Sequence, residues 1–107
     1  MPTADPALHL DLSATQLSEL RRLLREHVPS AQVWAYGSRV TGGAHEGSDL
    51  DLVLRDAEDP EKRAAGLAAL QAALSDSTLP MLVDVHDWAD LPEHFRREIE
   101  RAHLELN

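Results

Sequence analysis

The sequence predicts a small α/β domain in which a short mixed β-sheet is covered by packed helices. Three observations carry that expectation. Three short runs rich in β-formers, at residues 32–36, 50–54 and 81–86, are separated by segments whose apolar residues recur at helical spacing. The helical segments carry start signals at their N-termini. Helices and strands also alternate along the chain, which is the pattern of a sheet with helices laid against it.

The chain reads as one domain over residues 1–107. Residues 1–11, with two prolines and little pattern, read as a loose N-terminal arm. Ser13 and Gln16 form a capping box, flanked by a staple between Leu12 and Leu17. Leu17, Leu20, Leu24 and Val28 then mark one helical face, widened by Leu23, and Pro29 ends the helix. Residues 32–36 make a strand, Gly37-Ser38 turns out of it, and a short helical turn follows to about Thr41. Residues 42–48 form a glycine-bearing loop. In the strand at 50–54, Leu50, Leu52 and Leu54 point to one face, the expected core face; Asp49, Asp51 and Val53 point to the other. A second helix is expected from Asp59-Pro60-Glu61, with Asp59 as cap. Its buried stripe is Leu67, Leu70 and Leu74, and the alanines around Gly66 permit close approach to the sheet. Residues 81–86 form the third strand. Asp90-Leu91-Pro92-Glu93 starts the last helix, with Phe95, Ile99 and Ala102 facing inward.

Composition narrows the function. The net charge is −9, from 19 acidic and 10 basic residues, and Lys62 is the only lysine. A nucleic-acid binder normally shows a basic patch, so the balance argues against nucleic acid as the main partner. A basic protein, or a nucleotide carried in with its metal, fits better. There are no cysteines, so disulfides and thiolate metal sites are excluded. No apolar run approaches the ~18 residues of a membrane span, and no basic-then-apolar leader opens the chain. The expected location is the cytoplasm, away from membrane.

The chemistry concentrates between Tyr36 and Leu54. Asp49 and Asp51 alternate on an extended chain, so their carboxylates aim at one region. At about 4 Å and an effective dielectric near 20 they would repel by roughly 4 kcal/mol. A divalent cation removes that penalty. Asp84 is a third aspartate on a strand; if the two strands are neighbours, three carboxylates converge. Oxygen donors suit Mg²⁺. Two such ions clamp the attacking and leaving oxygens of an in-line displacement at phosphorus. Gly37 lets backbone approach a ligand, amides after it can donate to phosphate oxygens, and the Ser38 hydroxyl adds a donor. Arg39 could supply charge or brace the loop. Ser48 reads chiefly as a turn residue. The six histidines lack zinc spacing. His86 shares the face of Asp84 and could line the rim, and His45 could touch nucleotide. Trp34 and Trp88 read as packing residues.

Gly37-Ser38-Arg39-Val40-Thr41-Gly42, followed by Ser48-Asp49-Leu50-Asp51-Leu52 and later by Asp84 within Leu82-Val83-Asp84-Val85, resembles the signature of the minimal nucleotidyltransferases. These belong to the DNA polymerase β-like superfamily. The resemblance spans about residues 32–106, and Val40 stands where alanine is commoner. It implies the polymerase β-like nucleotidyltransferase fold and transfer of AMP from ATP to a hydroxyl. Asp49, Asp51 and Asp84 would be the catalytic and metal-holding residues for two Mg²⁺ ions. Gly37, Ser38, Arg39 and Ser48 would bind nucleotide. Small members of the family act as antitoxins towards a helical HEPN toxin and adenylylate one of its tyrosines, which makes such a toxin the expected partner. Two alternatives stand beside this: an antitoxin that neutralises by contact alone, and a transferase for a small molecule or an RNA end. The sequence is also compatible with a homodimer.

Overall fold

The structure, a computed structural model, describes residues 9–107. Helix α1 (Ala14–His27) opens with the expected capping box: Ser13 Oγ accepts from the Gln16 amide at 3.1 Å, and Gln16 Oε1 accepts from the Ser13 amide at 3.0 Å. Its apolar stripe buries Leu20, Leu23 and Leu24, with Val28 at its end. Strand β1 (Ala31–Tyr36) follows, then a single helical turn α2 (Ser38–Thr41) and strand β2 (Leu50–Asp56). Helix α3 (Leu67–Ser75) leads to strand β3 (Val83–Asp87), a 3₁₀ turn (Trp88–Asp90), helix α4 (Glu93–Arg101) and a short strand β4 (Leu104–Glu105).

The strand order is β3-β2-β1-β4. β1 runs antiparallel to β2 and β4, whereas β2 and β3 are parallel. The expected mixed α/β sheet is therefore present. A parallel neighbour requires a crossover connection, and α3 supplies it. One face of the sheet holds the main core. Leu50, Leu52 and Leu54 of β2 are fully buried there with Val33, Ala35 and Val85, under Leu20, Leu24, Leu70 and Leu74 of the two helices. Each such leucine contributes roughly 2–3 kcal/mol of hydrophobic stabilisation.

The opposite face differs from the expectation. Val53 is fully buried as well, in a second cluster with Trp34, Tyr36, Trp88 and Ile99. Alternation placed Val53 correctly on the Asp51 face, but α4 and the 3₁₀ turn cover that part of it. Trp34 and Trp88 are packing residues here, in edge contact at 5.5 Å. The Arg55 guanidinium lies over both rings, at 4.2 and 4.6 Å, and His103 stacks on Trp34 at 3.9 Å.

Several expected elements are corrected. Asp59 does not start a helix. Its side chain accepts from the Glu61 amide at 3.0 Å and its carbonyl from Lys62, which closes one isolated turn. α3 begins only after Gly66, whose φ of +95° breaks the helical path. Gly66 itself packs on the end of α1, where a Cβ would collide with the His27 carbonyl, while Ala64 beside it is buried in the main core. Phe95 is not inward but 37% exposed, while Ile99 is 2% exposed as expected. Ala102 caps α4 in a half-buried position. Met81 and Leu82 precede β3, and β4 is an element that its short length hid from pattern reading. Most of the proposed loose arm, residues 1–8, lies outside the described residues; Asp11, within it, is anchored by two backbone contacts with Arg39. Among the described residues, no helix is long and apolar enough to cross a membrane.

Gly66→Ala should be costly, because it adds positive-φ strain to a backbone collision. The expected loss is at least about 2 kcal/mol, a fall in Tm of roughly 8–16 °C at this size. Thermal unfolding followed by circular dichroism checks it; an unchanged Tm would show that α3 does not depend on this contact.

Candidate active site

The site is built by the register of β2 against its two neighbours. Asp51 pairs across the antiparallel ladder with Tyr36 and across the parallel ladder with Asp84. The three side chains therefore share one level of one sheet face. Asp49 lies one pleat earlier, exposed where the chain enters β2. α4 and the aromatic cluster cover this face only as far as Tyr36. Beyond it, Asp51 and the β3 residues Asp84 and His86 are left at an open rim.

Gly37 closes the site from the β1 end. Its φ is +84°, and a Cβ there would collide with Asp51 Oδ2. Glycine is thus needed both for the backbone angle and for the space taken by the carboxylate. The turn that leaves β1 is packed directly on the Asp51 side chain. Gly37 O accepts from the Val40 and Thr41 amides at 3.0 Å and from Thr41 Oγ1 at 3.2 Å, which fixes α2. The amides of Ser38 and Arg39, first in α2, have no intrahelical carbonyl to reach.

Electrostatics follow from the crowding. Burial raises the Asp51 carboxyl above the ordinary carboxylate range, Asp84 and then Asp49 raise it further, and His86 works against them. The Tyr36 phenol is also pushed up, first by burial and then by Asp51 and Asp84, so it stays neutral and can donate. Asp84 Oδ2 lies 3.1 Å from His86 Nε2. His86 therefore does line the rim.

The expected site residues sort into two groups. Gly37, Ser38, Asp49, Asp51 and Asp84 surround the rim. Arg39 and Ser48 take the second of the roles the sequence allowed them, bracing and turning the loop rather than facing the rim. Arg39 is buried, and its guanidinium donates to the backbone carbonyls of Asp11, His45, Glu46 and Ser48. Ser48 Oγ accepts from the His45 amide at 3.0 Å. His45 turns inward on its own loop, where Nδ1 accepts from the Gly47 amide at 3.1 Å. The reason is common to all three: a loop rich in glycine has many free amides and carbonyls, and nearby polar side chains satisfy them first.

Sequence reasoning missed Tyr36 and Phe95. The rings meet edge to face at 5.9 Å and border a cleft of about 230 Å³ that also touches Gly37, Thr41 and Glu98. Tyr36 could have been found from its place just before Gly37. Phe95 could not, because its helical spacing reads as core. Larger hollows lie along α1, away from the carboxylates; the small cleft is the relevant one because it opens beside Gly37. Asp87 was also missed. It is a buried carboxylate that accepts from the Ala64 amide at 2.7 Å and the Ala89 amide at 3.0 Å, so it pins the chain rather than facing the rim.

The donor set suits a hard cation. It is all oxygen, on adjacent strands in register, with one carboxyl disfavoured in its ionised form by like charges. Among the described residues, no three His, Asp or Glu side chains are grouped so as to hold a metal ion, so Asp49, Asp51 and Asp84 do not form the converged three-carboxylate site expected from the sequence. Asp84 is in contact with His86 instead.

A glycine turn seated on paired strand carboxylates, at the open rim of a mixed sheet, is an arrangement able to receive a charged phosphate ester together with a cation. The chain belongs to the nucleotidyltransferase domain family, whose profile matches residues 17–106, and it is a nucleotidyltransferase. It is 39% identical over 95 residues to a probable protein adenylyltransferase, MntA, of Haemophilus influenzae, covering 89% of this chain and 82% of that one. Its fold is similar to a solved structure described as a toxin-antitoxin with AMP-PNP, with a TM-score of 0.68 and 20% identity, covering 85% of this chain and 72% of the other.

Asp51→Asn should stabilise the metal-free protein at neutral pH. A folded-state carboxyl held above its unfolded value contributes stability that is full below the unfolded value and lost as pH rises through the folded one. The neutral amide keeps the shape without the repulsion. Screened by water, the gain should be on the order of 1 kcal/mol, or roughly 4–8 °C. The difference in Tm between the two proteins should shrink as pH falls towards 4. A Tm lower than wild type at pH 7 would contradict the repulsion.

Proposed function

We propose that this nucleotidyltransferase moves AMP from ATP to a hydroxyl on a partner protein and acts as the antitoxin of a toxin–antitoxin pair. The partner is a helical HEPN-type toxin and the acceptor a tyrosine. The observation that carries the reading is the packing of Gly37 on Asp51 with Asp84 in register beside it. That arrangement sets the glycine turn, a candidate phosphate subsite, directly against paired strand carboxylates. The kinship with a probable protein adenylyltransferase and the fold shared with a toxin-antitoxin complex support the choice of donor and partner.

The acceptor oxygen attacks the α-phosphorus of ATP, the bond from that phosphorus to the oxygen bridging to the β-phosphate breaks, and pyrophosphate leaves. Asp49, Asp51 and Asp84 would hold Mg²⁺, whose bound form would supply charge neutralisation at the phosphates and activation of an attacking oxygen. The amides that follow Gly37, with the Ser38 hydroxyl, orient the β- and γ-phosphates. The neutral Tyr36 phenol can donate to an oxygen in the site without adding charge. The acceptor proton passes to the acidic cluster, where Asp84 Oδ2 and His86 Nε2 already share a hydrogen bond. Phe95 and Tyr36 wall one side of the approach. The net charge of −9 favours a basic face on the partner.

Transfer of label from α-labelled ATP to a HEPN-type toxin should fall at least ~10²-fold in Asp49→Asn and in Asp51→Asn. Label transfer that survives both substitutions would overturn the reading. Mg²⁺ with ATP at ~100 Kd should stabilise the wild type by about 2.7 kcal/mol, or roughly 10–20 °C in Tm. The same mixture should leave the Tm of Asp51→Asn almost unmoved.

A further inference from the structure

The two halves of the site are joined by a loop that contains Gly42, Gly43 and Gly47. Such a loop does not by itself hold a fixed distance between its ends. In-line chemistry demands that distance, because a misplacement of about 1 Å costs up to ~10²-fold in rate. Gly37 touches Asp51 but sets no register for Ser48 and Asp49, which lie before the strand.

Arg39 supplies the missing constraint. It belongs to α2, directly after the phosphate turn, and is only 6% exposed. Its Nε donates to the carbonyl of Ser48, the residue before Asp49, at 3.0 Å. Nη2 donates to the carbonyls of His45 at 3.3 Å and Glu46 at 3.2 Å. Nη1 donates to the carbonyl of Asp11 at 2.9 Å. The Arg39 carbonyl in turn accepts from the Asp11 amide at 2.7 Å. Every partner is main chain. The planar guanidinium is the side chain able to reach several carbonyls in different directions at once, which an ammonium at one point cannot do.

We propose that Arg39 is a positioning residue, a buried hub that holds Ser48 and Asp49 at a fixed offset from the Gly37-Ser38 turn, and that the backbone at Asp11 is part of the same clamp. Its contribution to the reaction is geometric. The guanidinium donors face the loop carbonyls, so phosphate contact stays with the turn itself. The segment ahead of α1 thereby becomes a component of the active site, through its backbone and not through the Asp11 side chain. The rate readout of this proposal rests on the transferase reading; the structural readout does not.

Three variants test it: Arg39→Lys, Asp11→Pro, which removes the amide, and Asp11→Ala, which keeps it. Hydrogen exchange is measured on amides 42–49 with those of Leu52 and Leu54 as internal controls. In Arg39→Lys and Asp11→Pro, exchange over 42–49 should rise at least ~10-fold while Leu52 and Leu54 stay protected. Asp11→Ala should match wild type. Transfer of label from α-labelled ATP should fall at least ~10-fold in kcat in the first two, with the Kd for Mg²⁺–ATP changed less than ~3-fold. If Asp11→Pro does not fold, Arg39→Lys decides alone. The proposal is overturned if Arg39→Lys weakens ATP binding and leaves kcat intact, which would make Arg39 a phosphate ligand. It is overturned equally if Arg39→Lys lowers only Tm, with exchange and kcat at wild-type values. An effect of Asp11→Ala as large as that of Asp11→Pro would remove Asp11's backbone from the clamp. Absence of transfer in the wild type would count against the protein acceptor, and the exchange data would still decide the role of Arg39.

Discussion

The register of β2 is the constraint on which the rest depends. β2 is flanked by an antiparallel neighbour on one side and a parallel one on the other, and both ladders meet at Asp51. A slip of one residue in either would turn Asp51 towards the leucine core or take Asp84 off its level. The leucines forbid the slip. Leu50, Leu52 and Leu54 are fully buried on one face, and exposing them would lose several kcal/mol. The hydrophobic face thus holds the acidic face in place.

The acidic face is unfavourable by itself. Burial and two neighbouring carboxylates all disfavour the ionised Asp51. The fold accommodates this by leaving the rim open beyond Tyr36, so that water, a cation or a nucleotide's metal can answer the charge. α4 draws that boundary. It buries Ile99 over the aromatic cluster and leaves Phe95 at the edge, next to Tyr36 and the Gly37 turn. Stability and ligand access are divided along one sheet face by one helix, and the Arg55 guanidinium between two tryptophans fills the covered half.

Much of this was legible in the chain. α1 could be read from its capping box and stripe, β2 from its alternation, and α2 from Gly37-Ser38. The convergence of Asp49, Asp51 and Asp84 was stated only on the condition that two strands be neighbours. The pairing of Asp51 with Asp84 makes the two strands neighbours, yet among the described residues no three such side chains are grouped so as to hold an ion. Other features were illegible for identifiable reasons. Asp59-Pro60 carries a true start signal, yet the helix waits for Gly66, because a turn at 59–62 satisfies the same amides first. Phe95 has core spacing but lies where the sheet face ends. For Arg39 the sequence left two roles open, phosphate charge or a brace for the loop; its burial and its bonds to the loop carbonyls decide for the brace.

The sequence by itself determined the alternation of helices and strands, the leucine face, the glycine demanded by the turn and the chemical class of the donors. These are local properties, set by periodicity, backbone preference and side-chain type. Only the tertiary structure decided which carboxylates stand side by side, where the open rim ends and what Arg39 holds. Those outcomes depend on strand register and on contacts between residues far apart in the chain, such as Asp11 with Arg39 and Asp51 with Asp84. No local pattern specifies such pairings, because their free energy comes from burial and satisfied hydrogen bonds that exist only once the whole sheet is assembled.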